Sequence, residues 1–162
     1  RHEFGDRYTF AELCKEAEET DYITSRIDVN NKCFLAPENM TEAIKSYCNN
    51  NDLIIPDTAG EIAAVVYKSL ADSYADTVMQ IEKNLDITYD AIYVIGGGAN
   101  AGYLNQLTAD STGKTVVAGP AEATAIGNIM AQMIADSVFK NLKAARACVR
   151  DSFDINRFDQ KR

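Results

Sequence analysis

The chain has 162 residues, a formal net charge of −8 and 46% hydrophobic residues, which suits one domain with a modest core. No run of Lys or Arg is present that could neutralise phosphates, so we expect no nucleic-acid partner. No stretch approaches the roughly 18 apolar residues of a membrane span. The first ten residues, "RHEFGDRYTF", lack the apolar core of a signal peptide. We therefore expect a cytoplasmic protein with no membrane partner.

Cysteine and histidine usage argues against a metal site and against a disulfide network. The cysteines are Cys14, Cys33, Cys48 and Cys148, and the only histidine is His2. Because the cysteines lie far apart and form no C-x-x-C pair, the sequence favours reduced thiols and no zinc site.

The first 60 residues predict two short helices separated by irregular chain. Thr9 and Glu12 form a capping pair ahead of one helix, and Asn39 and Glu42 form another ahead of "MTEAIKSYC". The stretch 22–37 between them alternates apolar residues only briefly and ends at a proline, so it predicts no sustained strand.

The longest periodic segment, Glu61 to about Leu85, predicts one long helix with one buried face. The apolar stripe on that face comprises Ile62, Val66, Leu70, Tyr74, Val78, Ile81 and Leu85. Lys68 and other polar residues lie largely opposite the stripe. A helix of about 25 residues would be roughly 37 Å long, so we expect it to serve as a spine for the other elements.

Residues 91–119 predict a strand, a helix and a second, parallel strand with a right-handed crossover. "AIYVI" is apolar without alternation, as expected for a strand covered on both faces. Three glycines follow, then a helix to about Thr112 that ends at Gly113. "TVVAG" is the second strand, and the C-terminal "DINRFDQKR" is predicted to be a charged tail.

Two further helices are predicted, over residues 121–135 and around "NLKAARACVRDSF". In the first of them, Ala123, Gly127, Ala131 and Ala135 recur every four residues and form a smooth ridge, which lets another backbone approach closely. An ordinary alanine-rich face is the alternative interpretation. A mid-helix glycine costs up to about 1 kcal/mol relative to alanine, so we expect a packing contact at Gly127 that offsets the cost.

The three glycines, Gly96–Gly98, are the candidate binding site. A strand that ends in glycines before a helix brings backbone N–H groups and the positive end of the helix dipole to one place, which suits an anion. A P-loop is set aside because no Lys follows at its spacing. Gly96, Gly98 and Ala101 satisfy the dinucleotide fingerprint of an oxidoreductase, but the next strand carries no acidic residue at its tip. A floor for adenosine and a purely structural turn remain as further alternatives.

The stretch 93–132 resembles the C-terminal nucleotide-binding half of the FGGY carbohydrate kinases. The residues that carry the resemblance are Gly96–Gly98, Leu104, Gln106, Leu107, Ala109, Asp110, Gly113, Glu122–Thr124 and Gly127. With "FLAPENM" and "SLADSYADTV" included, the resemblance covers nearly the whole chain. It implies an α/β fold, namely the helix-rich part of an actin/hexokinase-like (ribonuclease H-like) ATPase domain, with a short parallel sheet.

The resemblance also implies an ATP-dependent sugar kinase that uses ATP and Mg²⁺. Residues 1–162 would then be a C-terminal nucleotide-binding domain, without the N-terminal part that binds the sugar and the phosphates. No D-x-G-x-[S/T] loop follows a strand, so we expect no catalytic residue in this chain and no activity of the chain alone. "AGPAEATAIGNI" resembles the branch of the family that phosphorylates L-rhamnulose. Fuculose or xylulose as the sugar, and a non-catalytic α/β binding module, are the alternatives.

For the site, the resemblance implies that Gly97 and Gly98, next to Gly96, lie against the adenosine and α-phosphate of ATP. The family usually has an adenine-contacting Asn where this chain has Ala101; Asn100 is the candidate replacement, although its side chain would leave a helix about 100° away. The helix 121–135 would pack against the other domain. Because a two-stranded parallel sheet rarely stands alone, we also expect self-association through the exposed sheet edge, or local disorder there.

Overall fold

The computed structural model describes residues 4–5, 7–20 and 22–161, and these contain six α-helices and three β-strands. In chain order they are α1 (Phe10–Glu19), α2 (Met40–Asn50), α3 (Ala59–Leu85), β1 (Ala91–Val94), α4 (Gly102–Thr112), β2 (Thr115–Ala118), α5 (Ala123–Ala135), α6 (Leu142–Ser152) and β3 (Asn156–Phe158). Short 3₁₀ turns lie at Lys32–Phe34 and Gly96–Asn100. In this part of the chain, no helix combines the length and the apolar character that crossing a membrane requires.

The first helices begin directly after the predicted caps. The hydroxyl of Thr9 accepts a hydrogen bond from the N–H of Glu12 at 3.2 Å, and the Glu12 carboxylate accepts one from the N–H of Thr9 at 2.7 Å. Thr58 forms the same reciprocal pair at the start of α3, and Asn39 caps α2. Because a helix leaves its first N–H groups without partners in the helix, these local bonds determine where it starts.

The main core lies between α2, α3 and the irregular segment that follows α1. Its buried members are Ile23, Ile27, Ile44, Cys48, Ile62 and Val65. The irregular segment is tied to α3 because Ser69 Oγ accepts a hydrogen bond from the N–H of Ile27 at 3.0 Å, and Lys68 Nζ donates to the carbonyl of Ile23 at 2.9 Å. The long helix therefore serves as the predicted spine. All four cysteines are free thiols.

The buried face of α3 differs from the predicted stripe. Lys68, predicted to face away from the core, is 5% exposed, whereas Ile81 and Leu85, predicted to be buried, are 43% and 58% exposed. The buried residues of α3 are Ala59, Gly60, Ile62, Ala64, Val65, Lys68, Ser69 and Ala71, all in its N-terminal half. The prediction failed because periodicity shows which residues share a face but not how far along the helix a neighbouring element covers that face.

The predicted strand–helix–strand unit is confirmed, and it has an additional strand. β1 and β2 are parallel, with Ala91 opposite Thr115 and Val94 opposite Ala118. The prediction of a charged C-terminal tail was wrong, because β3 lies within it and pairs antiparallel with β2. The sheet is therefore mixed rather than purely parallel, with strand order β1-β2-β3.

β1 is not covered on both faces as its composition predicted. It is an edge strand in the described sheet, and Tyr93 and the following Ile95 are 73% and 61% exposed. An uninterrupted apolar strand normally has protein on each side. The described part of the chain supplies that cover on one side only.

Candidate nucleotide-binding site

The three glycines lie in the 3₁₀ turn Gly96–Asn100, which joins the carboxyl end of β1 to α4. Gly96 has φ +76°, a conformation that favours glycine, and its N–H donates to the carbonyl of Pro120 at 3.4 Å. The N–H of Gly119 donates to the carbonyl of Val94 at 2.9 Å. These two bonds hold the glycine turn against the loop that follows β2.

Asn100 and Ala101 lie ahead of the helix, although the sequence analysis compared them as helical positions. α4 starts at Gly102, after Ala101, which caps it without a side-chain hydrogen bond. The glycines therefore lie in a 3₁₀ turn ahead of the helix, with Ala99, Asn100 and Ala101 between Gly98 and its first residue. Asn100 belongs to that turn, so the helical angle of about 100° between it and Ala101 does not apply.

Gly97 opens onto space that no described side chain fills. A Cβ built on Gly97 would meet no heavy atom within 4 Å, and one built on Gly98 would meet only Val94 Cγ1, at 3.4 Å. Both glycines are exposed. The conformation of Gly96 explains one glycine as a turn requirement, but packing within the chain does not require the glycine at position 97. Its main chain is open to a ligand.

Two hollows flank this turn. The first, called here the loop hollow, has a volume of about 360 Å³ and a mixed polar and apolar lining that includes Ala99, Asn100, Pro120, Glu122, Phe153 and Asn156. The second, called here the strand hollow, has a volume of about 470 Å³ and a mainly apolar lining that includes Tyr74, Val78, Tyr93, Ile95, Gly98 and Leu104. Both volumes lie within the range of small-molecule sites.

The five candidate residues have different positions. Gly98 lines the strand hollow, and Asn100, which is exposed, lines the loop hollow. Gly97 faces open space and lines neither hollow. Gly96 and Ala101 shape the turn, since the N–H of Ala101 donates to the carbonyl of Gly98 at 3.1 Å. Ala101 lines neither of these two hollows, so of the two residues Asn100 is the better placed to contact a ligand in the loop hollow.

Asn105 supports the glycine turn from α4, a role that the sequence analysis missed. It is 3% exposed, and its Nδ2 donates to the carbonyls of Gly98 and Ala99 at 3.3 and 3.2 Å. A buried amide bonded to two consecutive carbonyls fixes the path of the main chain between them. The sequence carried no distinct signal for this role, because Asn105 is followed by a second amide, Gln106, in a mixed polar and apolar stretch of the helix.

Two residues that carry the family resemblance anchor the C-terminal strand. Gln106 Nε2 donates to the carbonyl of Asp159 at 2.9 Å and to Asp110 Oδ1 at 3.0 Å. Asp159 in turn accepts hydrogen bonds from Thr115 and Arg157. The Arg157 guanidinium, followed by the Thr115 hydroxyl, lowers the pKa of the Asp159 carboxyl below its ordinary value.

The described residues offer no evident metal centre. No three His, Cys, Asp or Glu side chains in this part of the chain are grouped so that they could hold an ion. We therefore assign none of these residues to Mg²⁺.

Comparison with known proteins identifies the fold. A model of the FGGY family of carbohydrate kinases, C-terminal domain, matches residues 5–135. The chain belongs to this family. The FGGY resemblance is thereby confirmed, and with it the helix-rich α/β fold of an actin/hexokinase-like ATPase domain.

Several curated relatives of this FGGY chain are rhamnulokinases. The protein from Bacillus subtilis strain 168 is 46% identical over 154 residues, which is 95% of this chain and 32% of the relative. The rhamnulokinase of Oceanobacillus iheyensis is 44% identical over 155 residues, 96% of this chain and 33% of the relative. That of Lactiplantibacillus plantarum is 39% identical over 158 residues, 98% of this chain and 32% of the relative. The FGGY chain thus spans about a third of the length of the relatives it matches.

The two kinds of match differ at the C-terminus. The family model ends at residue 135, whereas the match to the Lactiplantibacillus relative covers 98% of this chain. α6 and β3 therefore lie beyond the part that the family model matches, while most of this stretch falls within the match to the rhamnulokinase.

Proposed function

We propose that this chain is the nucleotide-binding part of a sugar kinase that transfers the γ-phosphoryl group of ATP to L-rhamnulose, giving L-rhamnulose 1-phosphate. The observation that carries the proposal is the open main chain at Gly97, where a Cβ would meet no heavy atom within 4 Å beyond its chain neighbours, next to hollows lined by Gly98 and by Ala99 and Asn100. The similarity to rhamnulokinases over 95% or more of the chain supports the choice of sugar.

In this proposal the chain binds and orients ATP rather than carrying out the chemistry. The main chain of Gly97 and Gly98 would lie against the adenosine and the α-phosphate, and the amide of Asn100 would contact the base. Asn105 would keep the turn in shape through its bonds to the two carbonyls. ATP, when bound, supplies the phosphoryl group, and Mg²⁺ would neutralise the charge of the phosphates.

The groups that complete the reaction would lie in the other two thirds of a protein of the relatives' length. A carboxylate that accepts the proton of the sugar hydroxyl and the loops that hold the β- and γ-phosphates are needed for this chemistry. We assign neither to residues 1–162, so the chain alone should be inactive. We also propose a cytoplasmic location, because ATP is available there.

The test is an assay of the full-length protein for ATP consumption against L-rhamnulose, L-fuculose and xylulose. We expect turnover with L-rhamnulose and a product phosphorylated at the primary hydroxyl. Turnover with fuculose or xylulose alone would contradict the choice of sugar and leave a sugar kinase. No turnover with any sugar, together with no ATP-induced rise in melting temperature, would favour a non-catalytic binding module. A larger rise with NAD than with ATP would favour an oxidoreductase.

A further inference from the structure

The segment Phe153–Asn156 forms one wall of the loop hollow, which Asn100 also lines. Phe153, Asp154 and Asn156 all line the hollow, and Asn156 is paired with Ala118 at the end of β2. This wall lies beyond residue 135, where the match to the general FGGY domain ends. It is therefore a contribution of the C-terminal extension to the neighbourhood of the glycine turn.

The segment Phe153–Asn156 lies close to Gly119, which follows β2, in a contact that only glycine allows. Gly119 has φ +123°, and a Cβ on it would lie 2.6 Å from the carbonyl oxygen of Asp154. Any other residue at position 119 would force the segment outward. At the C-terminal end of β3, the hydroxyl of Thr115 donates to Asp159 Oδ1 at 2.7 Å, and Gln106 donates to the carbonyl of Asp159. The stretch from Asp154 to Asp159 is thus fixed at both ends.

The side chains on this wall suit a flat, polar-edged ligand. Phe153 is 44% exposed and makes no ring contact with another described aromatic residue. The amides of Asn100 and Asn156 make no side-chain hydrogen bond to another described residue. An aromatic face can stack on a base, and an amide offers both a donor and an acceptor to its edge.

The strand hollow is less suited to a nucleobase. Its amide and its threonine hydroxyls are already bonded to carbonyls: Asn105 to the glycine turn, Thr77 to Ser73 and Thr108 to Leu104. Its other polar groups are the hydroxyls of Tyr74 and Tyr93. The strand hollow therefore offers no free amide that could give both a donor and an acceptor to the edge of a base.

Building on the proposed function, we propose that Phe153 stacks on the nucleobase of the bound nucleotide and that Asn156 bonds to the edge of the base. The C-terminal extension would then take part in setting the preference for adenine. The family's glycine turn would hold the adenosine and α-phosphate, and this extension would supply base contacts from residues beyond the matched part 5–135.

The test uses the full-length protein and isothermal titration calorimetry with ATP and GTP. Phe153→Leu keeps an apolar side chain but removes the ring, and we expect the ATP dissociation constant to rise at least about fivefold, the effect of losing one base–aromatic stack. Phe153→Tyr keeps the ring and should therefore retain more of the ATP affinity than Phe153→Leu. Asn156→Ala should lower the preference for ATP over GTP. Asn84→Ala, at an exposed position of α3, is the matched control and should change neither quantity.

The outcomes separate this inference from the proposed function. If Phe153→Leu binds ATP as tightly as Phe153→Tyr, or if the ATP-to-GTP ratio of Asn156→Ala equals that of the wild type, the base contacts are refuted while ATP binding stands. If the wild type binds ATP with these effects but phosphorylates no ketose, the sugar-kinase function is refuted and the base contacts stand. If the wild type binds no ATP, both are refuted.

Discussion

A methyl group at Gly97 should weaken nucleotide binding without disturbing the fold. A Cβ there meets no heavy atom within 4 Å, and Gly97 is not among the positive-φ glycines. Gly97→Ala should therefore leave the free energy of unfolding unchanged or raise it by up to about 1 kcal/mol. If the nucleotide rests on this main chain, the methyl group occupies its place. We expect the ATP dissociation constant of the full-length protein to rise about tenfold, or about 1.4 kcal/mol.

Gly102→Ala provides the matched control for that substitution. Gly102 is also surrounded by open space, but it lies at the start of α4 and lines neither hollow. Its variant should bind ATP like the wild type. If a folded Gly97→Ala protein does the same, the nucleotide does not lie on the glycine turn.

Asn105 should be needed for the shape of the turn. Asn105→Asp keeps the size of the side chain but replaces the amide donor with an oxygen that faces the carbonyls of Gly98 and Ala99. Leaving these buried groups unpaired should lower the free energy of unfolding by about 1–3 kcal/mol, measured by urea titration. ATP affinity should fall as well. Asn128→Asp, which adds the same charge at an exposed position of α5, should leave both quantities near wild type.

The glycine turn and Asn105 differ in how far the sequence predicts their roles. The glycine turn could be predicted because three glycines directly after an apolar run are a local signal. The role of Asn105 could not, because its amide bonds to residues six and seven positions earlier only after the turn has folded back over α4. The open space beside Gly97 likewise depends on which residues surround it in the fold, so it could not be predicted from the sequence.

Two glycines in helices should respond oppositely to alanine. Gly127 in α5 is exposed and would place its Cβ in open space, so the described residues supply no packing contact that offsets its cost. Gly127→Ala should raise the free energy of unfolding of the chain by about 0.5–1 kcal/mol. Gly60 in α3 would place its Cβ 2.9 Å from Glu16 Cβ of α1. Gly60→Ala should lower the free energy of unfolding by about 1–3 kcal/mol, because the overlap pushes two packed helices apart.

Urea titration of both variants beside the wild type decides the comparison. A loss of stability in Gly127→Ala would mean that the small-residue ridge is packed within the chain. Packing of α5 against another domain stays a prediction, and it would appear as a destabilising effect of the same substitution in the full-length protein only.

The C-terminal strand should loosen in acid. Because hydrogen bonds from Arg157 and Thr115 lower the pKa of Asp159, the ionised carboxylate stabilises the folded state above its unfolded pKa of about 3.9. That contribution is lost as the pH falls through the lower folded-state pKa. The effect should be small, since this ion pair is exposed. Protection of the β3 amides from hydrogen exchange should fall from pH 7 to pH 3 in the wild type, and the fall should be smaller in Asp159→Asn.

For the helices and strands, features that depend on neighbouring residues could be predicted, whereas features that depend on residues distant in sequence could not. The helix starts follow from capping residues within three positions of each other. β3 was missed because it has only three residues, and its position depends on the close contact between Gly119 and Asp154 and on the hydrogen bonds of Asp159. The buried face of α3 was predicted wrongly because its C-terminal half is uncovered.

One exposed apolar surface of the described residues lies where β1 and α3 line the strand hollow. Tyr93 and Ile95 are exposed there, and the strand hollow runs between them and Tyr74 of α3. An apolar edge strand is a template for pairing with another strand. Since the chain spans about a third of the length of its relatives, we expect the rest of such a protein to cover this surface.

The isolated chain should therefore associate through the edge of β1, while the full-length protein should not use that edge. Tyr93→Lys places a charge on the exposed strand, and edge charges of this kind oppose strand pairing. Sedimentation velocity of the isolated chain over a concentration series should show association that this substitution reduces. Gln80→Lys, at an exposed position of α3, is the control for the added charge and should leave the association unchanged. Glu82→Lys would not serve, because it would break the ion pair between Glu82 and Lys114 at 2.7 Å. A wild-type chain that stays monomeric, with the β1 amides protected from exchange at every concentration, would show that the edge is already satisfied within residues 1–162.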